Sequence, residues 1–131
     1  MPNLKTAIFE QLNNDAVVTG IVGSRIYRTL APQNAEFPFM TYQRISAVHK
    51  NDLDLFTERF QFDLIGQSEE DEALESLKDA MLENLNHFKG DLGNMGFKVM
   101  NVWLEIIADD YNEDNSTRRI VIDFKFKYLK T

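Results

Sequence analysis

The feature that most constrains this sequence is the segment Ser68–Lys89, in which apolar residues recur every three or four positions. That spacing places them in one stripe along an α-helix, with polar residues on the other faces. The stripe consists of Leu74, Leu77, Met81, Leu85 and Phe88. Ser68 with Asp71 resembles a capping box, and Lys89 followed by Gly90 is typical of a helix end. Because the stripe is apolar, the rest of the chain has to supply an apolar surface for this helix.

Alternating apolar and polar residues predict β-strands on both sides of the helix. In residues 56–65 the apolar positions share one face, which only Glu58 interrupts, and residues 118–128 alternate in the same way. Residues 39–48 and 97–107 are strand-like as well. In the second of these, the predicted inward face is Met100, Val102, Leu104 and Ile106.

The order of these elements predicts an α+β fold. Two short helices, capped by Asn3 and Asp15, precede the strands. Strands with one polar face belong to antiparallel sheets that are covered on one side only. We therefore expect one two-layer domain over residues 1–131, with helices packed on one face of an antiparallel or mixed sheet of about four strands. The favoured topology joins hairpins Phe39–Ile65 and Phe97–Tyr128 through the central helix.

Composition argues against several classes of protein. Fourteen basic and 21 acidic residues give a net charge of -7, which disfavours a protein that holds nucleic acid by neutralising phosphates. The chain has no cysteine and therefore offers no disulfide and no thiolate zinc site. Its sequence contains neither a signal-peptide pattern nor an apolar run long enough to span a membrane. We expect assembly in the cytoplasm, without a membrane partner.

No motif predicts an active site. The one dense acidic cluster is formed by Asp109, Asp110, Glu113 and Asp114. It lacks the alternating spacing and the closing Glu of known calcium loops. His49 and His87 have no partners at metal-binding spacing, and no serine lies in a G-x-S-x-G motif. We therefore predict that the protein is not an enzyme and has no cofactor or metal site.

Surfaces remain as the candidates for function. Either water or another subunit must cover the polar face of the predicted sheet. Its residues form the candidate subunit interface: Arg59, Gln61, Asp63, Trp103, Arg119, Asp123, Lys125 and Lys127. The polar loops at residues 49–54 and 108–117 are the other candidate contact regions. Their candidate residues are Asn51, Asp52, Asp54, Asp109, Asp110, Glu113 and Asp114.

Several short motifs occur together in one order and spacing. They are Ile21–Tyr27 (IVGSRIY), Ala31-Pro32-Gln33, Phe37-Pro38-Phe39 with Thr41-Tyr42-Gln43, and Asp123-Phe124. With the short N-terminal helix and the terminal strand RRIVIDFKFKY, they cover nearly the whole chain. In this combination the chain resembles the tail-completion, or tail-terminator, family of long-tailed bacteriophages and prophages.

This resemblance implies a structural virion protein that closes the end of the tail tube and provides the surface to which the head joins. Related tail-terminator proteins act as rings, typically hexamers, around the channel through which DNA passes. The implied partners are further copies of the chain, the major tail tube protein and a head–tail connector or stopper protein. An acidic protein would not retain DNA that slides through the ring. We expect residues 109–114 or 51–54 to face the lumen or the adjoining ring.

Three other interpretations stay open at this point. The chain could be another small neck or connector protein of a phage. It could be an unrelated α+β module that binds a peptide along an exposed sheet edge. An enzyme that uses the acidic cluster with a metal ion is the weakest of the three.

Overall fold

In the computed structural model, which describes residues 3–130, two short helices open the chain. Helix α1 spans Leu4–Asn13 and helix α2 spans Ala16–Val22. The Asn3 side chain accepts a hydrogen bond of 2.9 Å from the Thr6 amide, and the Asp15 carboxylate accepts one of 2.9 Å from the Val17 amide. Both predicted caps are therefore confirmed. No helix within the described residues is long and apolar enough to cross a membrane.

The central helix is shorter than predicted at its C-terminal end. A 3-10 turn at Ser68–Glu70 leads into helix α3, which spans Asp71–Leu85. The Gln67 amide donates to the Glu70 carboxylate at 2.8 Å, so the cap lies one residue before the predicted pair of Ser68 and Asp71. His87 adopts a positive φ of 68° and its amide donates to the Val102 carbonyl at 2.7 Å. This contact with the sheet ends the helix before the predicted Lys89.

The main sheet has five strands, and its edge strands are not neighbours in sequence. The strands of both sheets, in chain order, are β1 (Ile26–Arg28), β2 (Phe39–Lys50), β3 (Leu55–Gln67), β4 (Gly90–Leu92), β5 (Phe97–Val99), β6 (Asn101–Asn112) and β7 (Thr117–Leu129). Their order in the sheet is β1-β2-β3-β7-β6, while β4 and β5 form a separate two-stranded sheet. Only β1 and β2 are parallel, so the sheet is mixed. The predicted count of about four strands missed β1. The first predicted hairpin is confirmed as β2–β3, and the second is confirmed as β6–β7 only from Asn101, because Phe97–Val99 pairs with β4 in the separate sheet.

Both hairpins extend further than their sequence indicates. Strand β6 runs to Asn112, so Asp109 and Asp110 lie in a strand rather than in the predicted loop at residues 108–117. They pair across the ladder with Ile120 and Arg119 of β7, and only residues 113–116 form the turn. Regular backbone pairing with β7 overrides the low strand propensity of these acidic residues.

One core joins the helices to one face of the sheet. Its fully buried members include Leu74, Leu77, Met81 and Leu85 of α3, Phe60, Phe62 and Leu64 of β3, and Ile120, Ile122, Phe124 and Phe126 of β7. Phe60 meets Phe126 edge-to-face, with ring centroids 5.7 Å apart and planes at 82°. Phe88, predicted as part of the helical stripe, packs against this core from the segment after α3.

The predicted inward face of β6 is correct only in its centre. Val102 is buried and Leu104 packs against the core, but Met100 and Ile106 are each 46% exposed. A β-bulge between Leu104 and Ile106 shifts the alternation of side chains by one residue. The sequence pattern gave no sign of this bulge, because Ile106 and Ile107 are both apolar.

Gly93 lets the turn between β4 and β5 lie directly on α1. Its amide donates to the Gln11 side chain at 2.9 Å, and a Cβ added at Gly93 would lie 2.6 Å from the Ala7 carbonyl oxygen. Gly96, in the same turn, has a similar positive φ of 79° against 72° at Gly93, but a Cβ there would meet nothing within 4 Å. Substitutions at these two glycines therefore distinguish the cost of backbone strain from the cost of a steric clash with α1.

We expect Gly93→Ala to destabilise the protein more than Gly96→Ala. Both variants place a side chain at a positive φ, which costs roughly 1 kcal/mol or more. Only Gly93→Ala also pushes α1 away from the turn, which adds about 1–3 kcal/mol. Urea denaturation of the two variants measures the difference in free energy of unfolding, and equal values would show that the turn does not depend on contact with α1.

Candidate assembly surfaces

The structure brings the predicted interface residues together on the sheet face opposite the core. Arg59 lies opposite Lys125, Gln61 opposite Asp123, and Trp103 opposite Lys125 on the other side of β7. Directly paired residues project from the same face of a sheet. The whole predicted set therefore shares one polar face: Arg59, Gln61, Asp63, Trp103, Arg119, Asp123, Lys125 and Lys127.

One member of the set is not available to solvent. Asp123 is only 6% exposed, because the Arg59 guanidinium lies over it with an N–O distance of 2.6 Å. The second carboxylate oxygen of Asp123 is buried without a hydrogen-bond partner among the described residues. Asp123 thus lies on the predicted polar face, but the cross-strand ion pair covers it.

A second cluster on the same face holds the single tryptophan in place. The Trp103 indole N–H donates to the Glu105 carboxylate at 2.9 Å, and the Lys125 ammonium lies 3.4 Å from the same oxygen. The indole hydrogen bond, with the nearby charge of Lys125, lowers the pKa of the Glu105 carboxyl. The polar face thus carries charges that are already paired within the chain, and Trp103 is fixed among them.

The two acidic turns do not form one site. Strands β3 and β7 pair from Leu55 opposite Leu129 to Gln67 opposite Thr117. At about 3.3 Å per residue, this ladder separates the two ends of the sheet by roughly 40 Å. Asn51, Asp52 and Asp54 lie in the turn at one end, and Glu113 and Asp114 lie in the turn at the other.

Asp109 and Asp110 belong to the second end through β6 rather than through its turn. Asp109 accepts a hydrogen bond of 2.9 Å from Arg118, and Asp110 lies opposite Arg119. Within residues 3–130, no group of three or more His, Asp or Glu side chains is placed to hold a metal ion. The acidic residues of this end are instead spread along the end of β6 and the turn that follows it.

Sequence reasoning missed a buried carboxylate on the core side of β3. Glu58 is 3% exposed, and its carboxylate accepts hydrogen bonds from Arg44, at 2.5 Å, and from the Tyr128 hydroxyl. Burial, together with the hydrogen bond and the charge of Glu58, raises the pKa of Tyr128. These three residues line a groove with Phe56 and Phe97. The available signal was that Glu58 alone interrupts the apolar face of its strand.

Comparison with known proteins gives this architecture a context. A family model described as tail completion protein gp17 matches residues 6–129. A solved chain described as belonging to the virion of a native gene transfer agent particle superposes with a TM-score of 0.79. It is 17% identical, and the match covers 95% of this chain and 92% of that one. A further solved chain matches with a TM-score of 0.49 and 16% identity, over 98% of this chain and 96% of the other. No curated protein sequence matches the chain.

The family match spans nearly the whole chain and includes both hairpins, helices α2 and α3, and most of helix α1. Proteins of this family are structural proteins of bacteriophage tails. The chain belongs to the tail completion protein gp17 family, as its motifs predicted. The likeness to the gene transfer agent chain shows that the two share a fold.

We expect Arg59→Met to destabilise the fold far more than Lys127→Met on the same face. Removing Arg59 leaves the buried Asp123 carboxylate without its partner, which costs about 3 kcal/mol or more. Lys127 makes no ion pair among the described residues, so its replacement should change stability by less than about 0.5 kcal/mol. Adding Asp123→Asn to Arg59→Met should recover part of the loss. Urea denaturation checks all three variants, and equal losses for Arg59 and Lys127 would contradict a structural role for the pair.

Proposed function

We propose that the protein closes the end of a phage tail tube and forms the surface to which the head joins, as a ring around the DNA channel. The observation that carries this proposal is the match of the tail completion family to residues 6–129. The likeness to a chain of a gene transfer agent virion supports a place within an assembled particle. The expected stoichiometry is a hexamer.

The separation of the two acidic turns supports a protein with two different docking ends. One end of the sheet carries Asn51, Asp52 and Asp54, and the other carries Glu113 and Asp114. In a ring whose axis runs along the sheet, these turns would meet the neighbours above and below. Those neighbours are the major tail tube protein on one side and a head–tail connector or stopper protein on the other.

The charge of the chain is compatible with a DNA channel that does not bind DNA specifically. The net charge is -7, and like charges disfavour contact between the protein and phosphates. Most charges on the polar sheet face are held in pairs within the chain, including Arg59 with Asp123 and Lys125 with Glu105. Such a protein works by shape and not by catalysis. It would assemble in the host cytoplasm and remain in the virion at the head–tail interface.

Negative-stain electron microscopy of the concentrated purified protein tests the ring directly. We expect closed rings with a central hole, whose six-fold symmetry is visible in class averages. The same protein should bind isolated tail tubes at their head-proximal end. Binding to the head connector without binding to tails would instead favour another neck protein.

Charge reversal at the two turns tests their assignment to separate docking ends. We expect Asp52→Lys and the pair Glu113→Lys with Asp114→Lys each to leave ring formation intact. One of them should block joining to the head and the other docking on the tail, because the turns lie at opposite ends of the sheet.

Counts of free heads, free tails and joined particles by electron microscopy measure the effect. Glu83→Lys, on the exposed side of α3, is the matched control and should have no effect. Unchanged assembly of joined particles with both turn variants would contradict the assignment.

A further inference from the structure

Strands β2 and β6 are each covered over one part of their length and have no neighbouring strand on their outer side over the rest, among the described residues. On one side, β1 pairs only with Met40–Tyr42, so residues 43–50 of β2 have no strand beside them among the described residues. On the other side, Asn86 and His87 hydrogen-bond to Leu104 and Val102. That contact covers the beginning of β6 and leaves residues 105–112 open within the described chain.

The two open stretches match in length and in exposure. Each has eight residues, and every residue in both is exposed. Each also begins beside a β-bulge, one between Arg44 and Ser46 and the other between Leu104 and Ile106. Open strand edges carry unsatisfied N–H and C=O groups that can pair with another strand, and soluble proteins usually keep such edges short or covered.

Charge and apolar content distinguish the two edges. The β2 edge carries Lys50 and also Arg44, which is already paired with Glu58, and its Ile45 and Val48 are 47% and 62% exposed. The β6 edge carries Asp110, together with Glu105 and Asp109, which are already paired with Lys125 and Arg118. Its exposed apolar residues are Ile106, Ile107 and Tyr111. The exposed apolar side chains of the two edges can therefore pack on each other, and the charges left over on the two edges, Lys50 and Asp110, have opposite signs. Two copies of the same edge would instead bring like charges together.

We propose that residues 43–50 of one copy pair with residues 105–112 of a second copy, edge to edge. This inference rests on the proposed ring, because a head-to-tail contact between different surfaces generates a ring when its rotation closes. Strands β2 and β6 run in opposite directions within the sheet, since β2, β3, β7 and β6 are antiparallel in succession. Rotation about a ring axis preserves these directions, so the new pair is antiparallel. Both open stretches are then covered once the ring closes.

The geometry of a closed barrel agrees with this pairing. With the bulge residues Ile45 and Glu105 left unpaired, overlap of the two stretches places Lys50 opposite Ile106, beside Glu105, and Arg44 opposite Tyr111. Within one sheet, Lys50 of β2 lies at the same height as Leu129 of β7, and Ile106 of β6 lies at the same height as Asp123 of β7. Pairing Lys50 with Ile106 therefore displaces adjacent copies along the strands by six residues, the separation of Asp123 from Leu129.

Six residues correspond to roughly 20 Å, and the four strands of one copy between the joined edges span roughly 19 Å. The ratio gives a strand tilt of about 45°, the upper end of the range found in closed barrels. A displacement of six residues is therefore compatible with a closed barrel, and it places Lys50 of one copy beside Glu105 of the next.

Cysteine cross-linking tests the pairing against a clean background, since the chain has no cysteine. Val48 and Ala108 face each other in this register, and both are exposed and lie outside the core. We expect an equal mixture of Val48→Cys and Ala108→Cys proteins, under the conditions that give rings, to form a disulfide-linked heterodimer on oxidation. Each variant alone should stay at least ten-fold less cross-linked, because like edges do not meet. Replacing Val48→Cys in the mixture by Val17→Cys, an exposed position on α2, is the matched control and should abolish the product.

The outcomes separate this inference from the proposed function. Rings in the microscope without the heterodimer would overturn the edge pairing and leave the ring standing. Heterodimers without closed rings would support the edge pairing and overturn the ring. Absence of both, or equal cross-linking of each variant with itself, would overturn the edge pairing. The edge pairing would also be overturned if residues 43–50 or 105–112 were covered only after tail tube protein is added, since a strand of that partner would then lie along the edge.

Discussion

The antiparallel ladder between β3 and β7 is the interaction on which the rest of the structure depends. It joins the two hairpins over thirteen residue pairs and places the aromatic side chains of both strands on the face that α3 covers. The edge-to-face contacts of Phe60 with Phe126 and of Phe62 with Phe124 fill the centre of this face. Every other element either extends the ladder or packs on it.

Two buried carboxylates on opposite faces fix the register of this ladder. Glu58, on the core face, is held by Arg44 of β2 and by Tyr128 of β7. Asp123, on the other face, is held by Arg59 of β3. A slip of one residue would move the side chains of one strand to the opposite face and would separate each carboxylate from its partner on the other strand. Since an unpaired buried charge is costly, the two sites disfavour alternative pairings of the same strands.

The polar sheet face and the sheet edges have different roles in our view of assembly. The face satisfies most of its charges within the chain, through pairs such as Lys125 with Glu105, and therefore provides a rigid wall. The edges at residues 43–50 and 105–112 have no strand beside them in the described structure. Contacts between copies are better explained by these edges, because they have hydrogen-bonding groups left to satisfy. The family assignment identifies the chain as a structural protein of bacteriophage tails.

Local sequence determined the elements whose signals lie within a few residues. The apolar stripe of α3, the caps at Asn3 and Asp15, and the alternation in β3 and β7 all depend on neighbouring positions, and the structure confirms them. The shared polar face of the candidate interface followed from the same two-residue period. Only tertiary structure decided that α3 ends at Leu85, that Asp109 continues a strand, and that Asp123 is covered by Arg59. Each of these outcomes depends on a partner that is distant in sequence, and neither periodicity nor local propensity carries information about such a partner.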